Sequence, residues 1–261
     1  MELARFRAAK EAEIQGLKLN PPPKAPKIKR PDFLAGLTKG VALRGLGLIA
    51  EYKRASPSLG DLDLSLTPKE AATAYAAAEA ISVLTEATYF KGDPRFLNEL
   101  AVSDKPLLRK DFIFEPLQVL ETALFPASAI LLIVRLTPDL ALLKDLIALA
   151  LDQGLAPVVE VFNQKELAIA RKAEATIIQV NARDLETLTL DKAGHLRLIK
   201  KDPPQDGEFW IAASGLATAQ DLAARRAAGY GAVLIGSALM GSGSPGQALT
   251  KILAELKASD E

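Results

Sequence analysis

From residue 47 onward, apolar runs of strand length alternate with segments of helical spacing. Strands are predicted at 47–52, 80–85, 106–110, 128–134, 156–161, 176–181, 209–213 and 231–236. Helices are predicted at 68–78, 94–102, 116–124, 138–153, 163–172, 191–200, 218–228 and 245–257. The strand runs are almost continuously apolar, the pattern of a parallel sheet covered on both faces. Thr67-Pro68, Asp93-Pro94, Thr137-Pro138 and Ser244-Pro245 each set a proline behind a capping residue, and Gly154 and Gly229 close helices. Eight such units predict an α/β fold of the closed (β/α)8 TIM-barrel type rather than an open sheet. No G-x-G-x-x-G follows the first strand and no P-loop is present, which argues against a dinucleotide-binding fold.

Ahead of the barrel, Leu3, Phe6, Ile14 and Leu17 recur among charges, so residues 1–20 read as a helix. Pro21 to Pro31 is extended and basic, either a linker or a strap carrying a basic edge toward an anionic ligand. Asp32 to Leu46 reads as a second short helix and an approach loop. The expectation is one barrel domain over 1–261, with 1–46 as a helical extension.

Composition narrows the function. The 32 basic and 32 acidic residues cancel, which argues against a nucleic-acid partner. Cys is absent and His195 is the single histidine, so thiolate sites and histidine-rich metal sites are excluded. No apolar run reaches the roughly 18 residues of a spanning helix, and Met1 to Phe6 lacks the apolar core of a signal peptide. No membrane partner and a cytoplasmic location are expected. His195, on a predicted exterior helix, is expected at the surface.

Polar groups concentrate at one end of the predicted strands, the end where barrels of this class carry their sites. Glu51 and Lys53, two residues apart, project from the same face of strand 1, with Ser56 beyond. Strand 3 ends in Arg109-Lys110-Asp111-Phe112, strand 5 in Glu160 and strand 6 in Asn181-Ala182-Arg183-Asp184. Ser214-Gly215 after strand 7 and Gly236-Ser237 after strand 8 form a candidate phosphate cradle, which Lys53 and Ser56 complete by barrel closure. Glu51 and Glu160 against Lys53, Lys110 and Arg183 leave a net positive pocket, suited to an anionic small molecule. A lysine among cations becomes a usable general acid. Phe90, Phe112 and Leu132 suit an aromatic ring. Asp184 and Glu186 are read as loop-ordering groups, and Trp210 as packing.

Five stretches carry a family resemblance: Ile49-Ala50-Glu51-Tyr52-Lys53-Arg54-Ala55-Ser56-Pro57-Ser58, Ser82-Val83-Leu84-Thr85-Glu86, Leu108-Arg109-Lys110-Asp111-Phe112-Ile113, Val180-Asn181-Ala182-Arg183-Asp184-Leu185-Glu186-Thr187 and Ile235-Gly236-Ser237-Ala238-Leu239-Met240. In this order they resemble indole-3-glycerol-phosphate synthase of tryptophan biosynthesis. The resemblance implies closure of 1-(2-carboxyphenylamino)-1-deoxyribulose 5-phosphate to an indole, with loss of CO2 and water. It implies Lys110 as the general acid on the substrate carbonyl oxygen. Glu160 and Lys53 would share the proton transfers of dehydration, with Glu51 and Asn181 holding them. Lys53 would also pair with the substrate carboxylate. Arg183 would stabilise the anionic substrate and orient the carboxylates, while Ser214, Gly215, Gly236 and Ser237 would bind phosphate. No metal or organic cofactor is implied, and a monomer is expected. A related barrel, phosphoribosylanthranilate isomerase, uses a cysteine base that this chain lacks. One position departs from the family: Ala213 stands where a glutamate usually precedes the strand 7 Ser-Gly. It opens the alternative of a non-catalytic or weakened barrel that binds a phosphorylated metabolite.

Overall fold

The computed structural model describes residues 2–258. Met1 and residues 259–261, part of the span read as one domain, lie outside the described residues. Eight parallel strands form a closed barrel in sequence order. They are β1 (Gly47–Tyr52), β2 (Ala80–Leu84), β3 (Leu107–Lys110), β4 (Ala129–Ile133), β5 (Ala156–Val161), β6 (Ile177–Asn181), β7 (Phe209–Ala213) and β8 (Ala232–Ile235). β8 closes on β1 through the pairs Gly47 with Ala232 and Ala50 with Ile235. Each strand falls within a residue or two of its predicted span.

The helices are mostly shorter than their hydrophobic patterns. The segment predicted at 68–78 is helical over Pro68–Ala74, where Thr67 and Glu70 cap each other reciprocally. The segment at 94–102 splits into Phe96–Leu100 and a tight 3-10 turn, Ala101–Ser103. For the helix predicted from 138, the cap is Asp139, which accepts from the Leu142 N–H; the Thr137 hydroxyl instead donates to Ile133 O, and Pro138 stays outside. After β1 the chain adds a two-residue ribbon, Ala55–Ser56 against Gly60–Asp61, which the sequence pattern did not announce.

Strand parity separates two cores. Residues such as Ile49, Leu108, Leu131, Val158, Ile211 and Leu234 fill the barrel interior. Their neighbours Leu48, Val83, Leu132, Val159, Val180 and Trp210 point outward and pack beneath the helices.

The extension uses both ends of the barrel. Helix α1 (Glu2–Leu19) carries Phe6 to the carboxyl-terminal end, where its ring stacks on Phe112 at 4.5 Å. Helix α2 (Phe33–Arg44) inserts Phe33 and Leu37 into the interior core at the other end. A Cβ on Gly40 would lie 2.9 Å from the Gly47 Cα, so α2 packs this closely on the start of β1 because residue 40 is glycine. The Pro-rich stretch between them has no regular secondary structure. Arg30 pins it to the Ala123 and Phe125 carbonyls at 2.6 and 3.2 Å. None of residues 21–31 lines the cavity at the strand ends, so the reading of this stretch as a basic strap on the ligand is corrected.

Candidate active site

Barrel shear raises the level by about one residue for each strand crossed. Followed from Glu51 through the pairs Glu51 with Ser82, Ser82 with Leu108, Leu108 with Ala129 and onward, the registers define inward layers. The uppermost layer of the odd strands is Glu51, Lys110, Glu160 and Ala213. Above it come Leu84, Ile133, Asn181 and Gly236; below it come Ser82, Leu131, Gln179 and Leu234. Three charged groups and one methyl thus share one level, deep in the wall of a cavity of about 370 Å3.

Glu51 is the electrostatic hub. Its carboxylate pairs with Lys53 Nζ at 2.8 Å and faces Lys110 Nζ at 3.9 Å. Burial works against its charge, but the two lysines outweigh burial and hold the carboxyl below the usual range. The closest charged partner of Lys110 is therefore a carboxylate, not another cation as the sequence suggested. Glu160, also buried, is held by two amides of β6: Asn181 Nδ2 donates to Oε1 at 3.0 Å and Gln179 Nε2 to Oε2 at 2.5 Å.

Arg183 is arranged differently from its expectation. Its guanidinium donates to Leu188 O at 2.8 Å and its backbone N–H to Asn181 Oδ1 at 2.9 Å. Among the described residues no carboxylate lies within ion-pair distance of it, so it does not orient the carboxylates here. It lines the cavity while bracing the loop from 183 to 190, and partial burial lowers its pKa. Asp184 orders the same loop, accepting from the N–H groups of Glu186 and Thr187.

On the phosphate side, Ser214, Gly215, Gly236 and Ser237 all line the cavity. Ser214 and Gly215 both have φ of 73°, a left-handed corner that is strained for serine and natural for glycine. The short helix Ser237–Met240 opens toward the cavity, where its first N–H groups have no intrahelical acceptor. Gly236 has a second reason to be glycine, because a Cβ there would collide with Glu51 Oε1. Its close approach is to the carboxylate hub rather than to a ligand alone. Ser56 also lines the cavity, and its Oγ accepts from the Leu59 N–H at 3.2 Å.

The apolar wall holds Phe90 and Phe112 as expected, but not Leu132. Leu132 is fully buried in the outer core; Leu131 and Ile133, of opposite parity, line the cavity. The uninterrupted apolar run of β4 conceals which residues face inward. Phe6, more than a hundred residues from Phe112 in sequence, joins the same wall. Gln179 was also missed, although a polar residue two before Asn181 on one strand shares its face, and that was a readable signal. His195 is not at the surface. It is fully buried, with Nε2 on Ala213 O at 2.8 Å, so it backs the end of β7. A carbonyl only accepts, so Nε2 carries the proton. Trp210 is packed as expected.

Comparison with known proteins decides the family. The family model for indole-3-glycerol phosphate synthase matches residues 3–252. The chain belongs to this family. Relatives named indole-3-glycerol phosphate synthase include one from Chromobacterium violaceum, 39% identical over 226 residues, covering 85% of this chain and 84% of that protein. One from Desulfosudis oleivorans is 42% identical over 218 residues, covering 81% and 80%. One from a Roseiflexus species is 39% identical over 246 residues, covering 91% and 85%. Among solved structures, 3-hexulose-6-phosphate synthase from Salmonella typhimurium aligns with a TM-score of 0.60 at 15% identity, covering 81% of this chain and 100% of that chain. KGPDC from Streptococcus mutans, in complex with D-R5P, aligns with a TM-score of 0.61 at 13% identity, covering 82% and 98%. At such identities these two share the fold alone. In this chain the fourth member of the charged layer, Ala213, contributes only a methyl.

Proposed function

We propose that this chain acts as an indole-3-glycerol-phosphate synthase, a carboxy-lyase of tryptophan biosynthesis. The observation that carries the reading is the single barrel layer of Glu51, Lys110 and Glu160 beneath an aromatic wall, in a chain of this family. The substrate, 1-(2-carboxyphenylamino)-1-deoxyribulose 5-phosphate, lays its ring against Phe6, Phe90, Phe112 and Leu131 and its phosphate against Ser214, Gly215, Gly236 and Ser237. Lys53 faces the substrate carboxylate.

Lys110 donates its proton to the ketone oxygen as the ring carbon bearing the carboxylate attacks the ketone carbon. The carboxylate departs as CO2, returning its electron pair to the ring. Glu160 and Lys53 then share the transfers that expel the hydroxyl as water and leave the indole. Glu51 keeps both lysines aimed, and Asn181 holds Glu160. Arg183 presents a guanidinium free of any carboxylate partner among the described residues, a cation available to the anionic substrate. All of these groups come from one chain, so a monomer suffices. No described helix is long and apolar enough to cross a membrane. A cytoplasmic location belongs to the same reading, as that of an enzyme acting on a small phosphorylated metabolite. Residues 1–261 are read as one barrel domain with 1–46 as its extension.

The alternative, a non-catalytic or weakened phosphometabolite-binding barrel, rests on Ala213 alone. Incubating the purified chain with the carboxyphenylamino substrate separates the two. Indole fluorescence rising together with CO2 release supports the synthase; substrate binding without either product supports the alternative.

A further inference from the structure

Gln179 lies in the layer immediately below Glu51, Lys110, Glu160 and Ala213, and it is fully buried. Its layer partners are Ser82, Leu131 and Leu234, and the next odd-strand layer down is Ile49, Leu108, Val158 and Ile211, all apolar. A primary amide here is out of keeping with its surroundings. Leucine or methionine would fill the same space with no polar atom to satisfy. The amide is also only half satisfied. Its Nε2 donates to Glu160 Oε2 at 2.5 Å, while its Oε1 is buried with no hydrogen-bond partner among the described residues. Turning the amide over would set its carbonyl against the carboxylate, so the observed orientation is the favourable one. A buried side chain retained with one unpaired oxygen calls for an explanation, and the bond to Glu160 supplies it.

Asn181 completes the arrangement. It is two residues further along β6, on the same face, and its Nδ2 takes the other oxygen of Glu160 at 3.0 Å. One amide per oxygen fixes the plane of the carboxyl group, whose terminal torsion is otherwise broad. The neighbouring inward residue of the same layer, Ala213, offers only a methyl and cannot take part.

We propose that Gln179 is a positioning residue for Glu160, locking the plane of its carboxylate from beneath so that the acid–base group meets the substrate already oriented. This rests on the function proposed above. Gln179 touches no substrate and acts only through Glu160.

The test uses the full chain and the carboxyphenylamino substrate. Gln179→Met keeps the volume and removes the N–H. The expected result is a fall in kcat of roughly tenfold to a hundredfold, with KM and Tm essentially unchanged. Gln179→Glu keeps the shape but places a second carboxyl against Glu160. Two carboxyls at hydrogen-bond distance retain a shared proton to higher pH. That variant should therefore be slow at neutral pH and recover as pH falls, a limb absent from the wild-type profile. The inference is overturned if Gln179→Met keeps the wild-type kcat, or if it loses rate only in proportion to a lowered Tm. Should Gln179→Met not fold, the acid recovery of Gln179→Glu carries the test, and its absence overturns the inference. Failure of the wild-type chain to form indole would instead overturn the function, so the two outcomes are distinct.

Discussion

Arg109 and Lys110 are adjacent cations at the end of β3, and they do opposite things. Arg109 points outward and is fully buried. It bonds Thr85 Oγ1 at 3.1 Å, Glu121 at 2.8 Å, Thr122 Oγ1 at 3.0 Å and Asp111 at 3.2 Å. Lys10 from α1 adds a second cation on Asp111 at 2.9 Å. Burial alone would raise the Asp111 carboxyl, but Lys10 and Arg109 outweigh it and hold the pKa below the usual range. Lys110 points inward, lines the cavity and, among the described residues, has one ion-pair contact, Glu51 at 3.9 Å. The first cation gives its donors to the protein; the second keeps donors for a ligand. Function at this rim follows from unspent hydrogen-bonding capacity, which charge and position in sequence do not reveal.

The largest effect expected from breaking this contrast is on stability. Arg109→Met leaves Asp111 and Glu121 short of their cation inside the protein, at a cost of about 3–5 kcal/mol. Denaturant titration measures that loss, and kcat per folded molecule should stay near the wild-type value. Parity gives a second pair. Leu132→Ala should cost about 2–5 kcal/mol of stability without changing KM. Leu131→Ala, one residue away, should raise KM roughly tenfold through the lost apolar contact. A rise in KM in Leu132→Ala alone would reverse the assignment of faces.

The third and smallest effect moves the contrast to β7, where His195, like Arg109, spends its polar atoms on the protein itself. Burial, reinforced by Arg225, pushes its imidazole from 6.5 down to about 4, although the bond to Ala213 O opposes the shift. The unfolded chain then takes up a proton near pH 6.5 that the folded chain refuses until about 4. Stability should fall as pH drops from 7 to 5, by roughly 2 kcal/mol. His195→Gln keeps a donor for the carbonyl and should flatten this part of the curve, as read by denaturant titration at pH 7 and pH 5.

The barrel was legible because eight apolar runs and their helix caps repeat one local pattern, as at Thr67-Pro68 and Gly229. The rim was legible because charges such as Glu51, Lys110 and Glu160 stand out in apolar strands. What escaped depended on direction and distance. β4 is apolar on both faces, so its sequence could not separate Leu131 from Leu132. Phe6 reaches the pocket only through the docking of α1. His195 reads as polar, yet an imidazole with one donor for one carbonyl is at home in a core. Gly236 reads as a ligand loop, yet its missing side chain is also what makes room for Glu51.

Lys110→Met gives the most direct test, assayed in a single turnover by indole fluorescence with Tm measured on the same sample. The rate should fall by about a hundredfold to ten-thousandfold, with Tm unchanged, because Lys110 donates to the substrate and holds little of the fold together. A variant that forms indole at the wild-type rate, or one that loses its activity only by unfolding, would contradict the role of Lys110 as the general acid.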